Sequence, residues 1–169
     1  MSRTAEAMSD QGRDSPSIAR VEEDARRRGL AIAPVRLAEG TRTAEDAARA
    51  CGCGLDQIVK SIIFREQAGG RHVLFLTAGG NRVDPEKAAR LAGAPLAKAD
   101  AAGVRAHTGF AIGGVAPLGH LNPIDTWLDP RLLDFATVWA AAGTPHHVFE
   151  VAPAKLAAAV GATVADFVA

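Results

Sequence analysis

Tyrosine is absent from this 169-residue chain, phenylalanine occurs six times, cysteine twice, and neither sign of charge is in excess. Without tyrosine and with few phenylalanines, no aromatic-rich sheet for stacking RNA bases is expected. Cys51 and Cys53 are separated by one residue. Such a pair cannot make an ordinary unstrained disulfide or complete a four-ligand zinc centre alone. A reducing, cytoplasmic setting is the simpler expectation, and the two thiols are given no role. Lys and Arg together number 19, as do Asp and Glu. That balance argues against a protein that coats duplex DNA by charge, while leaving room for a local basic patch that meets a few phosphates. No apolar run approaches the ~20 residues that a membrane-crossing helix needs.

Several chemistries also lack their motifs. The five histidines do not suggest a metal centre: His146 and His147 are adjacent on a predicted strand and so face opposite ways, and His72, His107 and His120 are scattered. No G-x-S-x-G marks a serine nucleophile, and no Walker loop or dinucleotide fingerprint is present. The expectation is therefore no metal and no cofactor.

With 48% apolar and 22% charged residues, the composition is that of an ordinary globule with one core. Residues 1–15 are polar, lack the apolar centre of a secretory signal, and are expected to form a disordered tail. Residues 16–169 are expected to form one domain. Ser15-Pro16 opens a helix with Ile18, Val21 and Ala25 at helical spacing, ending at Gly29. "AIAPVRL" reads as an edge strand, "TAEDAARACG" as a helix capped by Thr43 and Asp46, and "IVKSIIFRE" with "RHVLFLTA" as an antiparallel hairpin. A helix from Pro85 capped by Asp84, a short strand "PLAKA", a helix "DAAGVRAHTG", and a strand "IDTWLD" follow. A second hairpin ("ATVWAAAG", "HHVFEVA") and a final helix before "TVADFV" complete the chain. Strands joined by hairpins among interspersed helices predict a mixed α/β fold with a largely antiparallel sheet.

Two features carry candidate chemistry. In "DQIVKSIIFR", alternation puts Ile58, Lys60, Ile62 and Phe64 on one face of the strand, so the ammonium lies among apolar neighbours. There it escapes along its own stem, pairs with a carboxylate, or serves chemistry. In "GFAIGGVAPLGH", glycines let main-chain N–H groups turn toward a ligand and cradle a phosphate or an oxyanion, although a tight turn is the plainer alternative. Arg65, Arg71, Arg82, Lys87, Arg90, Lys98 and Arg105 are dispersed around the lysine strand, and spacing alone does not say which of them converge on a phosphate.

Taken together, "GCGLDQIVKSIIFR", "HVLFLTAGGNRVD", "HTGFAIGGVAPLGH" and "VWAAAGTPHHVFEV" resemble the YbaK/ProX family, stand-alone relatives of the editing domain of bacterial prolyl-tRNA synthetases. The resemblance runs in order from about Ile18 to Val168. It implies a barrel-like mixed sheet with surrounding helices, and hydrolysis of the ester joining a wrong, small amino acid to the 3′ end of tRNA-Pro or a related tRNA. By position, Lys60 matches the family's essential lysine, and Gly113, Gly114, Val115, Ala116 and Pro117 match its Gly-x-x-x-Pro substrate loop. His120 is a further substrate-binding candidate, Asp125 and Asp129 follow the loop as candidates to line the site without a matched family position, and a structural or capping role is expected for His107 and Thr108. The implied partners are the aminoacyl-tRNA acceptor end and a synthetase, with no metal. A non-catalytic tRNA- or synthetase-binding module of the same fold is the rival reading.

Overall fold

A computed structural model describes residues 15–169. The expected tail lies outside the described residues except for Ser15, whose hydroxyl caps the first helix by accepting from the Ile18 N–H. That helix, α1 (Pro16–Arg27), starts on proline, whose missing N–H is no loss in a first turn, and buries Ile18, Val21, Asp24 and Ala25. Strand β1 (Val35–Arg36) is followed by α2 (Ala44–Cys51), where Thr43 and Asp46 exchange side-chain-to-main-chain bonds in a capping box. The chain continues through β2 (Ile58–Glu66), β3 (His72–Ala78), α3 (Pro85–Ala92), β4 (Leu96–Lys98) and α4 (Ala101–Thr108). It ends with β5 (Asp125–Leu128), β6 (Val138–Ala141), β7 (His147–Val151), α5 (Pro153–Val160) and β8 (Thr163–Val164). Short 3₁₀ turns at Leu55–Gln57 and Pro130–Asp134 were not signalled by hydrophobic period. Three to five residues are too few to display one.

One eight-stranded sheet runs β1-β7-β6-β2-β3-β5-β8, with β4 paired to β2 off that path. The hairpins β2–β3 and β6–β7 are antiparallel, as are β1–β7 and β2–β4, while β2–β6, β3–β5 and β5–β8 are parallel. The parallel joints arise because elements distant in sequence meet β2 and β3, a choice that local alternation does not reveal.

The placement of β2 matters most. Along one edge it pairs with β3 from Val59 to Arg65. Along the other it meets β6 at Ile58 and Val59, then β4 at Phe64, Arg65 and Glu66. Between these neighbours, residues 60–63 face no strand on that edge among the described residues. The Ile63 carbonyl alone is tied there, by the Ala99 N–H at 3.4 Å. The sheet therefore has a gap at the lysine.

The two faces of β2 bury against different clusters. Val59 and Ile63 enter the main core with Leu74, Leu76, Phe110 and Phe149. Ile62 and Phe64 pack on a smaller cluster built on Val73, Phe75, Ala88, Trp127 and Phe167. The face carrying Lys60 is thus apolar, as alternation implies, but it serves the lesser cluster.

Candidate active site

Two adjoining hollows open at the gap in β2, of about 340 and 470 Å³. Both are lined by Lys60, Ser61, Ile62, Ile112, Gly113 and Val115, so the glycine loop crosses the break in the sheet and forms the shared wall. The smaller hollow extends under α2 and the β6–β7 turn, with Ile58, Ala47, Trp139, Thr144 and His147 in its walls. The larger extends toward the turn after β3 and toward β4, reaching Asn81, Arg82, Phe64 and Lys98.

Lys60 is half-buried, and its ammonium donates to the Asn81 carbonyl oxygen at 2.6 Å. Among the described residues no carboxylate comes within ion-pair distance of it. Burial, aided by the Arg82 charge, lowers the lysine pKa from its ordinary value, with Glu45, Asp56 and Asp129 opposing at longer range. One N–H of the ammonium is used by Asn81, and the other two remain for a ligand.

A carboxylate network fixes the carbonyl that holds the lysine. Asp129, 1% exposed, accepts from the Ala78 N–H at 3.1 Å, from the Asn81 side-chain amide at 2.8 Å and from the Arg131 N–H at 3.0 Å. Asp56 accepts from the Gly80 N–H and from Arg131 Nε, each at 2.9 Å. The turn from Ala78 to Asn81 is thereby pinned at three points. Asp129 thus acts on the site through Asn81 and lines neither hollow.

The loop itself is shaped by two glycines. Gly113 has φ +92°, a backbone state that disfavours any side chain. At Gly114 a Cβ would stand 2.7 Å from the Thr144 carbonyl carbon and 2.9 Å from Pro145 N, so only glycine lets the loop lie on the β6–β7 turn. The Gly114 N–H closes a turn on the Ala111 carbonyl at 2.9 Å. Among the described residues no acceptor meets the N–H of Gly113 or Val115. Both residues line the two hollows.

The other expected positions are distributed differently. Ala116 and Pro117 are buried behind the loop, and neither lines the two hollows. His120 is not brought to Lys60 either. It sits in a separate hollow with Asp24 and Pro117, its Nε2 2.6 Å from the Ala116 carbonyl oxygen and its ring edge-on to Phe110. Burial pushes its pKa down to about 4, against the Ala116 bond and Asp24, so it is a neutral structural ring at ordinary pH. Asp24 holds the same end of the loop to α1 by accepting from the Gly119 N–H at 2.8 Å. Asp125 pairs with Arg71, and His107 stacks on His72 and bonds the Pro123 carbonyl, all outside the two hollows. Thr108 is buried and bonds the Val104 carbonyl.

Sequence reasoning passed over Asn81, Ile112, Trp139 and His147. Asn81 acts on Lys60 through its main chain, which no side-chain pattern advertises. For His147 a signal existed, since alternation puts it opposite its exposed neighbour His146. It bonds Thr144 Oγ1 through Nδ1 at 2.7 Å, while Nε2 is buried and has no partner among the described residues. No group of three or more metal-ligating side chains gathers among the described residues. Nor is any helix there long and apolar enough to cross a membrane. Both cysteines are free, and burial raises their pKa, that of Cys51 to about 11.

The chain is similar to several known proteins. A model of the aminoacyl-tRNA editing domain matches residues 38–159, which include Lys60 and the whole glycine loop. The uncharacterized protein YwhH of Bacillus subtilis (strain 168) is 33% identical over 114 residues, 68% of this chain and 72% of that one. A crystal structure proposed to be a trans-editing enzyme for prolyl tRNA synthetase is 47% identical with a TM-score of 0.86, covering 92% of this chain and 98% of that one. The hypothetical protein APE2540 is 32% identical with a TM-score of 0.81, covering 89% and 99%.

Proposed function

Since the chain belongs to the aminoacyl-tRNA editing domain family, we propose that it is a trans-acting deacylase. It hydrolyses the ester between a small non-cognate amino acid and the 3′ end of tRNA-Pro or a related tRNA, in the cytoplasm. The observation that carries this reading is the shared wall of the two hollows. There one half-buried lysine, held by the Asn81 carbonyl, and Gly113 and Val115, whose N–H groups are free among the described residues, border both hollows.

That arrangement suits ester hydrolysis by positioning. Water adds to the ester carbonyl, the C–O bond to the ribose breaks, and the amino acid leaves from a tRNA with a free hydroxyl. Charge grows on the carbonyl oxygen during addition, and preorganised N–H donors in a partly desolvated cleft stabilise it more than bulk water does. Lys60 supplies a charged donor to the carbonyl or ribose, and the loop amides supply neutral ones. The smaller hollow, walled by Ile58, Trp139 and Ala140, receives the amino-acid side chain. Selection there is by shape, because one methylene in an apolar pocket is worth only ~1–3 kcal/mol. Alanine, serine, threonine, cysteine and 2-aminobutyrate are the candidates, with proline refused.

The test is a panel of mischarged tRNAs, varying amino acid and tRNA, incubated with the intact protein and with Lys60→Ala. The intact protein releases one or a few small residues quickly, and the variant loses about 10²–10³-fold in kcat/KM, the usual effect of removing one such donor. Release no faster than spontaneous decay across the panel would instead favour a tRNA- or synthetase-binding module.

A further inference from the structure

The lining of the larger hollow is electrostatically one-sided. Lys60, Arg82 and Lys98 border it, and among the described residues no Asp or Glu does. The chain as a whole carries equal numbers of each sign. Elsewhere several cations are paired, Arg71 with Glu66 and Asp125, Lys87 with Asp166, Arg131 with Asp56 and Asp134, and Arg27 and Arg28 with Asp24, while others without an ion pair among the described residues, such as Arg90 and Lys155, do not border this hollow. Arg82 and Lys98 have no ion pair or side-chain hydrogen bond among the described residues. They come from different elements, Arg82 from the turn after β3 and Lys98 from the end of β4, where it stands opposite Phe64 in the register with β2. Two separate pieces of chain thus bring unpaired cations to one concavity beside the lysine. Like charges gathered without counter-charge disfavour each other, and an anionic ligand relieves that repulsion.

We propose that the larger hollow is a phosphodiester site, in which Arg82 and Lys98 hold the backbone of the single-stranded acceptor end while its terminal ester lies at Lys60. The assignment of the ligand to an acceptor end rests on the deacylase reading. The binding of a short phosphodiester chain does not. Of the seven dispersed cations near the lysine strand, these are the two that the fold turns toward the site. Both are exposed, so their contribution is through charge and hydrogen bonding to phosphate, and it is screened by salt. They contribute little to the fold.

The experiment measures binding of two probes, the trinucleotide C-C-A with its two phosphodiesters and adenosine with none. The proteins are the intact chain, the double variant Arg82→Ala, Lys98→Ala, and a control that loses two other exposed cations, Arg90→Ala, Lys155→Ala. The double variant loses about tenfold or more in trinucleotide affinity, since a hydrogen bond to a charged group is commonly worth at least that factor. Its slope of log affinity against log salt flattens by about 1.4, the single-strand value for two phosphates. Adenosine affinity is unchanged, the control behaves as the intact protein, and the exchange Arg82→Lys, Lys98→Arg retains trinucleotide binding. Trinucleotide affinity or salt slope equal in the double variant and the intact protein overturns the site, as does a trinucleotide that the intact protein does not bind. A parallel deacylation assay separates the two claims. Trinucleotide binding that depends on Arg82 and Lys98, with no deacylation of any aminoacyl-tRNA, keeps the phosphate site and removes the enzyme. Deacylation with a KM indifferent to the double substitution keeps the enzyme and removes the phosphate site.

Discussion

Lys60 illustrates how much one side chain depends on the surroundings that the strand gives it. Alternation along β2 sends it to an apolar face, where an ammonium without a partner is costly. The chain meets that cost with a carbonyl oxygen, from Asn81, so the amine keeps its full charge and two unused donors. Burial and Arg82 lower its pKa from the ordinary lysine value, and the consequence for activity has a definite sign. Below the folded pKa the donor is charged. As pH climbs through that value the charge is lost, so the enzyme-catalysed rate falls on an alkaline limb that comes before the ordinary lysine range. The measurement is kcat/KM against pH, with the spontaneous hydrolysis of the ester subtracted at each point. A limb that persists unchanged in the residual activity of Lys60→Ala would assign it to another group. His120 shows the converse case, a titratable side chain beside the glycine loop whose ring is consumed by the Ala116 carbonyl and by packing on Phe110.

At the scale of elements, the site is a loop laid across a break in a sheet, and the loop's fit rests on Gly114. Its missing side chain lets the main chain touch the Thr144–Pro145 turn, and that turn is backbone, which does not yield. Gly114→Ala therefore shifts residues 113–115 relative to Lys60, and a misplacement of this kind costs about 10²-fold in rate. Gly113→Ala meets open space and bears only the strain of its positive φ, about 1–2 kcal/mol of stability. Paired measurements of kcat/KM and thermal unfolding on the two variants separate these effects. Gly114→Ala with intact kcat/KM would show that the loop's position is unimportant to the chemistry. Legibility from sequence divides along the same line. Both hairpins, the strand bearing the lysine and the caps at Ser15, Thr43 and Asp84 were readable, because alternation and capping are local signals. The gap in β2 was not, since it depends on where pairing with β6 stops and pairing with β4 starts along β2, two strands that reach β2 from 30 or more residues away by sequence number. Nor was the convergence of Arg82 and Lys98, or the part played by the Asn81 main chain. These are properties of tertiary placement, and residue type does not encode them singly.

For the molecule as a whole, β2 is the partition between two clusters, and stability and chemistry draw on it differently. The smaller cluster is closed by Phe75, fully buried, with Phe64 and Phe167 edge-on and Trp127 stacked on its ring. Truncating such a side chain leaves a cavity that rigid strands cannot collapse, and Phe75→Ala should lower the unfolding free energy by ~3–5 kcal/mol. Yet Phe75 lines neither hollow, and the lysine is fixed from the other direction, through Asn81 and the carboxylates of Asp129 and Asp56. Well below its lowered melting temperature, the Phe75→Ala protein should therefore keep kcat/KM within about tenfold of the intact chain. Lys60→Ala should show the reverse, little change in denaturant midpoint and a collapse in rate, since its removal takes away a half-buried charge and no packed apolar surface. Chemical denaturation and deacylation rates on the same two preparations decide the matter. If Phe75→Ala abolished turnover while still folded, the lysine's position would depend on the cluster behind the sheet, and the turn at Asn81 would not suffice to hold it.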